Sequence, residues 1–336
     1  MPSIHEVAHL ANVSSATASR ALSRPEMVAP ATRERVLSAA RQLGYQPNIL
    51  ARSLRQGETR TIGLIVADIL NPFHGQLAKG VQDVADKHGY TVFLFNSDEE
   101  SEKERRAIET LRGHLPQGLI IEPTRSTRDH LKTLSNLAVV ELDRVSGNPK
   151  ATTITVDNLA GAKAGTRHLI EQGHTRIGMI VGQLDISTAI ERHRGFQDAL
   201  QEAGLPYHPE LVLPGHHRED DGYRVAKHLL SLPKATRPTA LFVGNNEMTV
   251  GAVLAARELG LQIPDDLSIV GFDDSRWAQT MYPPLTVVAQ PAYELGAVAC
   301  EHLIGLLGRP QSGLPAHVQL STELIIRQST GPPAPA

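Results

Sequence analysis

The chain has 336 residues, 41% hydrophobic and 4% aromatic, with a net charge of −3. That length exceeds one ordinary domain and calls for two or three folding units. No apolar run reaches the roughly 18 residues of a membrane span, and no basic-then-apolar leader opens the chain. The single cysteine, Cys300, excludes an internal disulfide and a CxxC metal pair. A soluble cytoplasmic protein is expected.

The first 60 residues carry eight arginines, no lysine and four glutamates, a balance of +4 that leaves −7 for the rest. A basic end on an acidic body suits a molecule that meets phosphate at one end. Residues 4–11 place Ile4, Val7, Ala8 and Ala11 on one helical face. After the turn at Asn12-Val13, Ser14 caps a second helix over 15–22, with Ala18 and Leu22 inward. A third helix spans 31–43 and stops at Gly44; Pro30 suits its first turn, although Ala29 cannot cap it. A short helix, a short turn and a second helix form the helix-turn-helix pattern. HEVAH (5–9) has the spacing of a zinc-protease helix, two histidines one turn apart with a glutamate base. It lies in the first of these helices, and Asn12 and Ser15 stand where a third ligand would follow. No GxSxG or phosphate loop is present, so no catalytic residue, metal or cofactor is expected.

Asn48 can cap a two-turn helix that Gly57 ends. Such a helix is marginal in water by itself. From Arg60 onward, apolar strands alternate with amphipathic helices. Strands are expected at 61–67, 91–95, 118–122, 138–142 and 153–157, with helices at 73–88 and 102–113. A second series has helices at 159–172, 190–203, 221–232 and 247–259 and strands at 176–181, 239–243 and 267–272. This alternation builds doubly wound α/β lobes with parallel sheets. Two such lobes face each other across a cleft beyond their C-terminal strand ends. The closing GPPAPA is expected to be disordered.

The stretch from SIHEVAHLANVSSATASRALSRPEMVAPATRERVLSAARQLGYQPNILARSLRQ to TRTIGLIVADILNPF resembles the start of LacI/GalR family regulators. Later blocks are similar too, in the family's order: VDNLAGA, QGHTRIGMIVG, RPTALFVGNNEMTVGA, IPDDLSIVGFDD and PPLTVVAQP. The headpiece and ELIIRQST look closest to cytidine- and ribose-type repressors. The resemblance implies an N-terminal helix-turn-helix headpiece (1–46), a hinge (47–59) and a periplasmic-binding-protein-like two-lobed core (60–330), before a disordered tail (331–336). It also implies a homodimer on palindromic double-stranded operator DNA, controlled by a small sugar or nucleoside-like effector, with no membrane partner. A dimer is preferred to a tetramer because the C-terminus has no leucine heptads.

The residues can be placed against those roles. Ser15, Ala16 and Arg20 match the family's base-reading positions, where an arginine can grip guanine with two hydrogen bonds. Ser14, Thr17 and Ser19 suit phosphate contact or capping. Asn48, Ala51, Leu54 and Arg55 match the hinge, with Leu54 as an apolar wedge for a minor-groove step. For the effector, Arg192 and Asp273 are expected to face each other across the cleft, with Thr188 and Asn245 beside them. Phe73 and Trp277 are expected to stack on an apolar ring face, and His217 to make the pocket wall more polar. A sugar-binding protein without a DNA role, and a zinc hydrolase built on HEVAH, are the alternatives.

Overall fold

The computed structural model describes residues 2–23, 25–45, 59–134, 137–148, 151–308 and 316–334. Contacts divide the chain into two compact units, Met1–Thr59 and Arg60–Ala336. Among the described residues no helix is long and apolar enough to cross a membrane.

The first unit is three helices, α1 (Ile4–Leu10), α2 (Ser15–Ser23) and α3 (Pro30–Leu43). Ser3 and Glu6 form a capping box that starts α1. The Ser14 hydroxyl accepts the Thr17 N–H at 3.1 Å and starts α2. Gly44, at φ 63°, ends α3 in the left-handed conformation that glycine adopts without strain. Val7, Ala8, Ala11, Ala18, Ala21, Val36, Ala39 and Ala40 make the core. Leu22, expected inward, is half-buried; the smaller Ala21 takes the interior position beside Ala18.

The second unit holds two six-stranded sheets. The first contains β1 (Thr61–Val66), β2 (Thr91–Asn96), β3 (Gly118–Ile121), β4 (Ala138–Leu142), β5 (Thr152–Val156) and β11 (His317–Leu320). Its order is β11-β5-β4-β3-β1-β2, and all pairs are parallel. The second contains β6 (Ile177–Val181), β7 (Val212–Pro214), β8 (Ala240–Val243), β9 (Ser268–Phe272), β10 (Thr286–Ala289) and β12 (Glu323–Ile325). Its order is β12-β10-β9-β8-β6-β7, parallel except for β12. β1, β3, β6, β8 and β9 are buried throughout, as expected of strands covered by helices on both faces.

The chain passes between the sheets three times: after β5, after β10 and between β11 and β12. The elements after residue 272 were not expected from the sequence. The helix after β10, Ala292–Gly308, returns to the first lobe and packs on the helix after β1, Pro72–Lys87. That contact is built on glycine. A Cβ at Gly80 would lie 2.1 Å from the Tyr293 carbonyl oxygen, and one at Gly296 would lie 2.0 Å from that of Leu77. Gly80→Ala is therefore expected to destabilise the second unit by about 1–3 kcal/mol, the usual cost of overpacking. Urea unfolding checks this; a midpoint equal to that of the parent would contradict it.

The C-terminal end departs from the expected disorder at 331. The Gly331 N–H donates to Ser268 Oγ at 3.0 Å, and the Gly331 carbonyl oxygen lies 2.9 Å from His174 Nε2. His174, buried beneath, also meets Thr239 Oγ1 at 2.8 Å. Both backbone polar groups of Gly331 are thus met by the second lobe, and residues 335 and 336 lie outside the described residues.

Candidate functional site

In the three-helix unit, Ser14, Ala16 and Arg20 are exposed, and Ser15, Thr17 and Ser19 are half-buried. Ala16 and Arg20 are four residues apart on α2 and so share one face. Ser14 and Thr17 are engaged with each other at 2.8 Å through their hydroxyls. His5 and His9 are exposed on α1, and the Glu6 carboxylate accepts the Ser3 N–H at 2.6 Å. The glutamate that would serve HEVAH as a base is thus part of a helix cap. Asn48, Ala51, Leu54 and Arg55 lie outside the described residues.

In the second unit, the C-terminal ends of nine strands converge on one pocket. Asp68, Asn71, Phe73 and His74 follow β1, Asp98 and Glu99 follow β2, and Glu122 follows β3. Asp143 and Arg144 follow β4; Thr188 and Arg192 are on the helix Ser187–Glu202 after β6. His217 and Arg218 follow β7, Asn245 follows β8, Asp273 follows β9 and Gln290 follows β10. The cavity is about 110 Å³, the scale of a small ring rather than a polymer.

Six of the seven residues assigned to the effector from the sequence are brought together here: Phe73, Thr188, Arg192, His217, Asn245 and Asp273. Trp277 is not among them. It lines a separate groove with Lys79, Arg276 and Tyr293, and its Nε1 donates to Asn246 Oδ1 at 2.8 Å. Arg192 and Asp273 do not oppose each other across the cleft either, since both belong to the second lobe. The first-lobe carboxylate that acts on Arg192 is Asp143, which follows β4.

Arg192 is held firmly. Its Nε donates to Asn158 Oδ1 at 2.8 Å, its Nη1 donates to the Gly244 carbonyl at 2.6 Å, and its Cζ sits 3.7 Å from the Phe272 ring centroid. Burial lowers its pKa, while Asp273 and Asp143 oppose that shift. Asp273 accepts the Asn246 N–H at 3.2 Å and the Gln290 side-chain amide. Asn245 is occupied with local structure: its Oδ1 caps the helix Asn246–Glu258, and its Nδ2 donates to the His217 carbonyl at 3.1 Å. Gly182 makes room for the imidazole of His217, because a Cβ there would lie 2.0 Å from Nε2.

The sequence reading missed a buried charge network on the first lobe. His74 Nε2 lies 3.0 Å from the Glu122 carboxylate, which also accepts the Ala67 N–H at 2.9 Å. Arg144 grips Glu99 with both terminal nitrogens, at 2.6 and 2.7 Å, and its Nε lies 3.3 Å from Glu122. Burial opposes the charge on His74, but the Glu122 carboxylate outweighs it and raises the imidazole to about 9. Burial opposes the charge on Glu99 too, yet Arg144 outweighs it and lowers the carboxyl to about 2. Burial, aided by Glu122, raises Asp143 to about 7; burial, aided by Arg144, lowers His217 to about 4. No local spacing signals this network, since its members follow different strands.

Two further observations set this pocket apart from the rest of the second unit. Seven buried side-chain polar atoms among the described residues have no hydrogen-bond partner, and five line this pocket. They are His74 Nδ1, Asp143 Oδ1, Arg144 Nε, His217 Nδ1 and Gln290 Oε1, of which Arg144 Nε has its ion pair with Glu122 at 3.3 Å. Buried polar groups ordinarily find partners, so this concentration points to a polar ligand. Asp98, Glu99, Asp143, His217 and Asp273 also have positive φ, between 50° and 81°. Left-handed backbone in non-glycine residues is uncommon and gathers at functional sites.

Residues 3–48 match the model for bacterial regulatory proteins of the lacI family, and residues 166–330 match that for a periplasmic binding protein-like domain. The transcriptional repressor PurR of Haemophilus influenzae is 36% identical over 98% of both chains. Catabolite control protein A of Priestia megaterium is 35% identical over 97% of this chain and 98% of its own. Among solved structures, the lac repressor dimer bound to operator and an anti-inducer aligns with a TM-score of 0.88 at 26% identity, covering 98% of this chain and 99% of that one.

Proposed function

The chain belongs to the lacI family of bacterial regulatory proteins, which are DNA-binding transcription regulators and not enzymes, and we propose that it is a cytoplasmic, homodimeric repressor whose operator affinity is set by a sugar or nucleoside-like effector in the core cleft. The observation that carries the ligand half of this reading is the group of four polar atoms, His74 Nδ1, Asp143 Oδ1, His217 Nδ1 and Gln290 Oε1, that have neither a hydrogen-bond nor an ion-pair partner where the strand ends of both lobes meet. Hydroxyl groups, which both donate and accept, suit such a lining.

The DNA half rests on α2. Its exposed face carries Ala16 and Arg20, a methyl and a guanidinium one turn apart. Arg20 reads a base edge, while Ser14, Ser15, Thr17 and Ser19 hold the helix start against phosphate. Asn48, Ala51, Leu54 and Arg55 act as the hinge, with Leu54 wedging a base step. Effector binding changes how the lobes sit about their three crossings, and the hinge carries that change onward. A coupling of about 1–3 kcal/mol suffices for a 5–150-fold change in operator affinity.

Selection of bound duplexes from a random library is expected to return a palindrome. On that operator, Arg20→Ala should lose about 1–3 kcal/mol of discrimination at one base pair per half-site, the worth of a bidentate arginine–guanine contact. Equal weakening on operator and random DNA would make Arg20 a phosphate contact. If no sequence is enriched, specific DNA recognition is overturned.

A further inference from the structure

We propose that Arg218 is a latch across the cleft mouth, and that with a second contact at Ser187 it sets how closed the two lobes stand when no effector is bound. This rests on the reading that lobe position governs operator affinity, and it names the contacts that govern lobe position.

Sheet order locates the latch. The chain crosses between lobes beside β5 and β11 in the first sheet and beside β10 and β12 in the second, all at one side of the core. The opposite edge strands are β2 and β7, which lie farthest from the crossings. When two lobes pivot about crossings at one side, the far edges separate most. The loops after those two far strands are the ones joined. Arg218, after β7, donates through Nη2 to the Asp98 carbonyl, after β2, at 3.1 Å. Both residues line the cleft, so the bond spans its mouth. The second contact also runs from lobe to lobe: the Val145 N–H, after β4, donates to Ser187 Oγ at the start of the helix Ser187–Glu202, at 3.0 Å.

Both loops are set in advance. Asp98 and Glu99 have φ of 50° and 61°, and His216 and His217 have 47° and 61°. Left-handed backbone in a non-glycine residue is uncommon and persists where neighbouring contacts hold it. On the first lobe, Asn96 Nδ2 and Lys103 hold the Asp98 carboxylate, and Arg144 holds Glu99. On the second, Asn245 Nδ2 donates to the His217 carbonyl at 3.1 Å, and the Arg218 N–H donates to the Gly215 carbonyl at 3.2 Å. The Asp98 carbonyl is thereby held out towards a guanidinium whose own backbone is fixed. A bond from an exposed arginine to a neutral carbonyl contributes modestly, so this latch can open as well as close.

The test is a distance measurement by electron spin resonance on the full-length, effector-free protein. Spin labels go on Thr110→Cys, exposed on the helix Ser101–Gly113 of the first lobe, and on His228→Cys, exposed on the helix Glu219–Leu230 of the second. Labelled chains are diluted with unlabelled ones, so that only distances within a chain are read. Cys300 is buried. Loss of one such hydrogen bond should lower the closed-to-open ratio about two- to tenfold. Arg218→Ala is therefore expected to lengthen and broaden the distance distribution, and Arg218→Lys, which keeps a donor, to fall between it and the parent. Adding Ser187→Ala to Arg218→Ala should open the lobes further. A distribution in Arg218→Ala that superposes on the parent's, in protein whose circular dichroism also matches, overturns the latch. The reading beneath it is judged by a separate measurement, operator affinity. Lobes that open in Arg218→Ala while operator affinity stays unchanged uphold the latch and overturn the coupling of lobe position to DNA.

Discussion

Replacing Glu122 with glutamine is expected to cost the second unit about 3–5 kcal/mol, the penalty for removing one partner of a buried ion pair. The carboxylate is fully buried and serves His74, the Ala67 N–H and the nearest face of Arg144. Glutamine keeps its size and leaves His74 without a negative partner. Thermal unfolding should then fall by about 2–4 °C for each kcal/mol lost in a domain of this size. The same pair sets a pH dependence. The His74 pKa is raised from 6.5 to about 9, so its contribution is complete below 6.5 and is lost as pH rises through 9. Unmodified protein should therefore lose stability between pH 7 and 10 on this account, and Glu122→Gln should lose much less over that window. Parallel curves for the two proteins would show that the His74–Glu122 pair does not control alkaline stability.

Arg192→Lys is expected to raise the effector's Kd about a hundredfold, which corresponds to losing roughly 2.7 kcal/mol. Lysine keeps the charge and loses the planar fork, and the two are not interchangeable where several donors act together. Here the fork serves Asn158 and the Gly244 carbonyl while the guanidinium lies on Phe272. A lysine ammonium can neither stack on Phe272 in that way nor hold both acceptors. A ligand present at 100 times its Kd stabilises the folded state by about 2.7 kcal/mol, so a hundredfold loss removes nearly all of the thermal shift. Operator binding without effector should persist. A full ligand-induced shift in Arg192→Lys would place the effector away from Arg192.

The two charged residues first singled out for the effector, Arg192 and Asp273, illustrate what sequence reading reaches and where it stops. Both match ligand positions of the family that the sequence resembles, and both line the cleft. Their mutual position was misjudged, because which lobe an element joins depends on where the chain crosses. Trp277 was misassigned for a related reason. It follows β9 closely, but its indole N–H is drawn to Asn246 Oδ1 and its ring to an outer groove.

By itself the sequence determined what depends on neighbours a few residues away. The three N-terminal helices follow from Ser3, Ser14 and Gly44 and from apolar residues at helical spacing. The buried strands up to β9 follow from apolar runs too short for helices. The family follows from many separated motifs in one order. Only the tertiary structure decided what depends on pairing across the chain. The return of Ala292–Gly308 to the first lobe, made close by Gly80 and Gly296, is a matter of packing that no local period encodes. Ordering at Gly331 needed His174 and Ser268, more than 60 residues away in sequence. The network of His74, Glu99, Glu122 and Arg144 exists because parallel strands point their C-terminal ends the same way. Residues that share no local pattern meet there, and burial then forces their charges to pair.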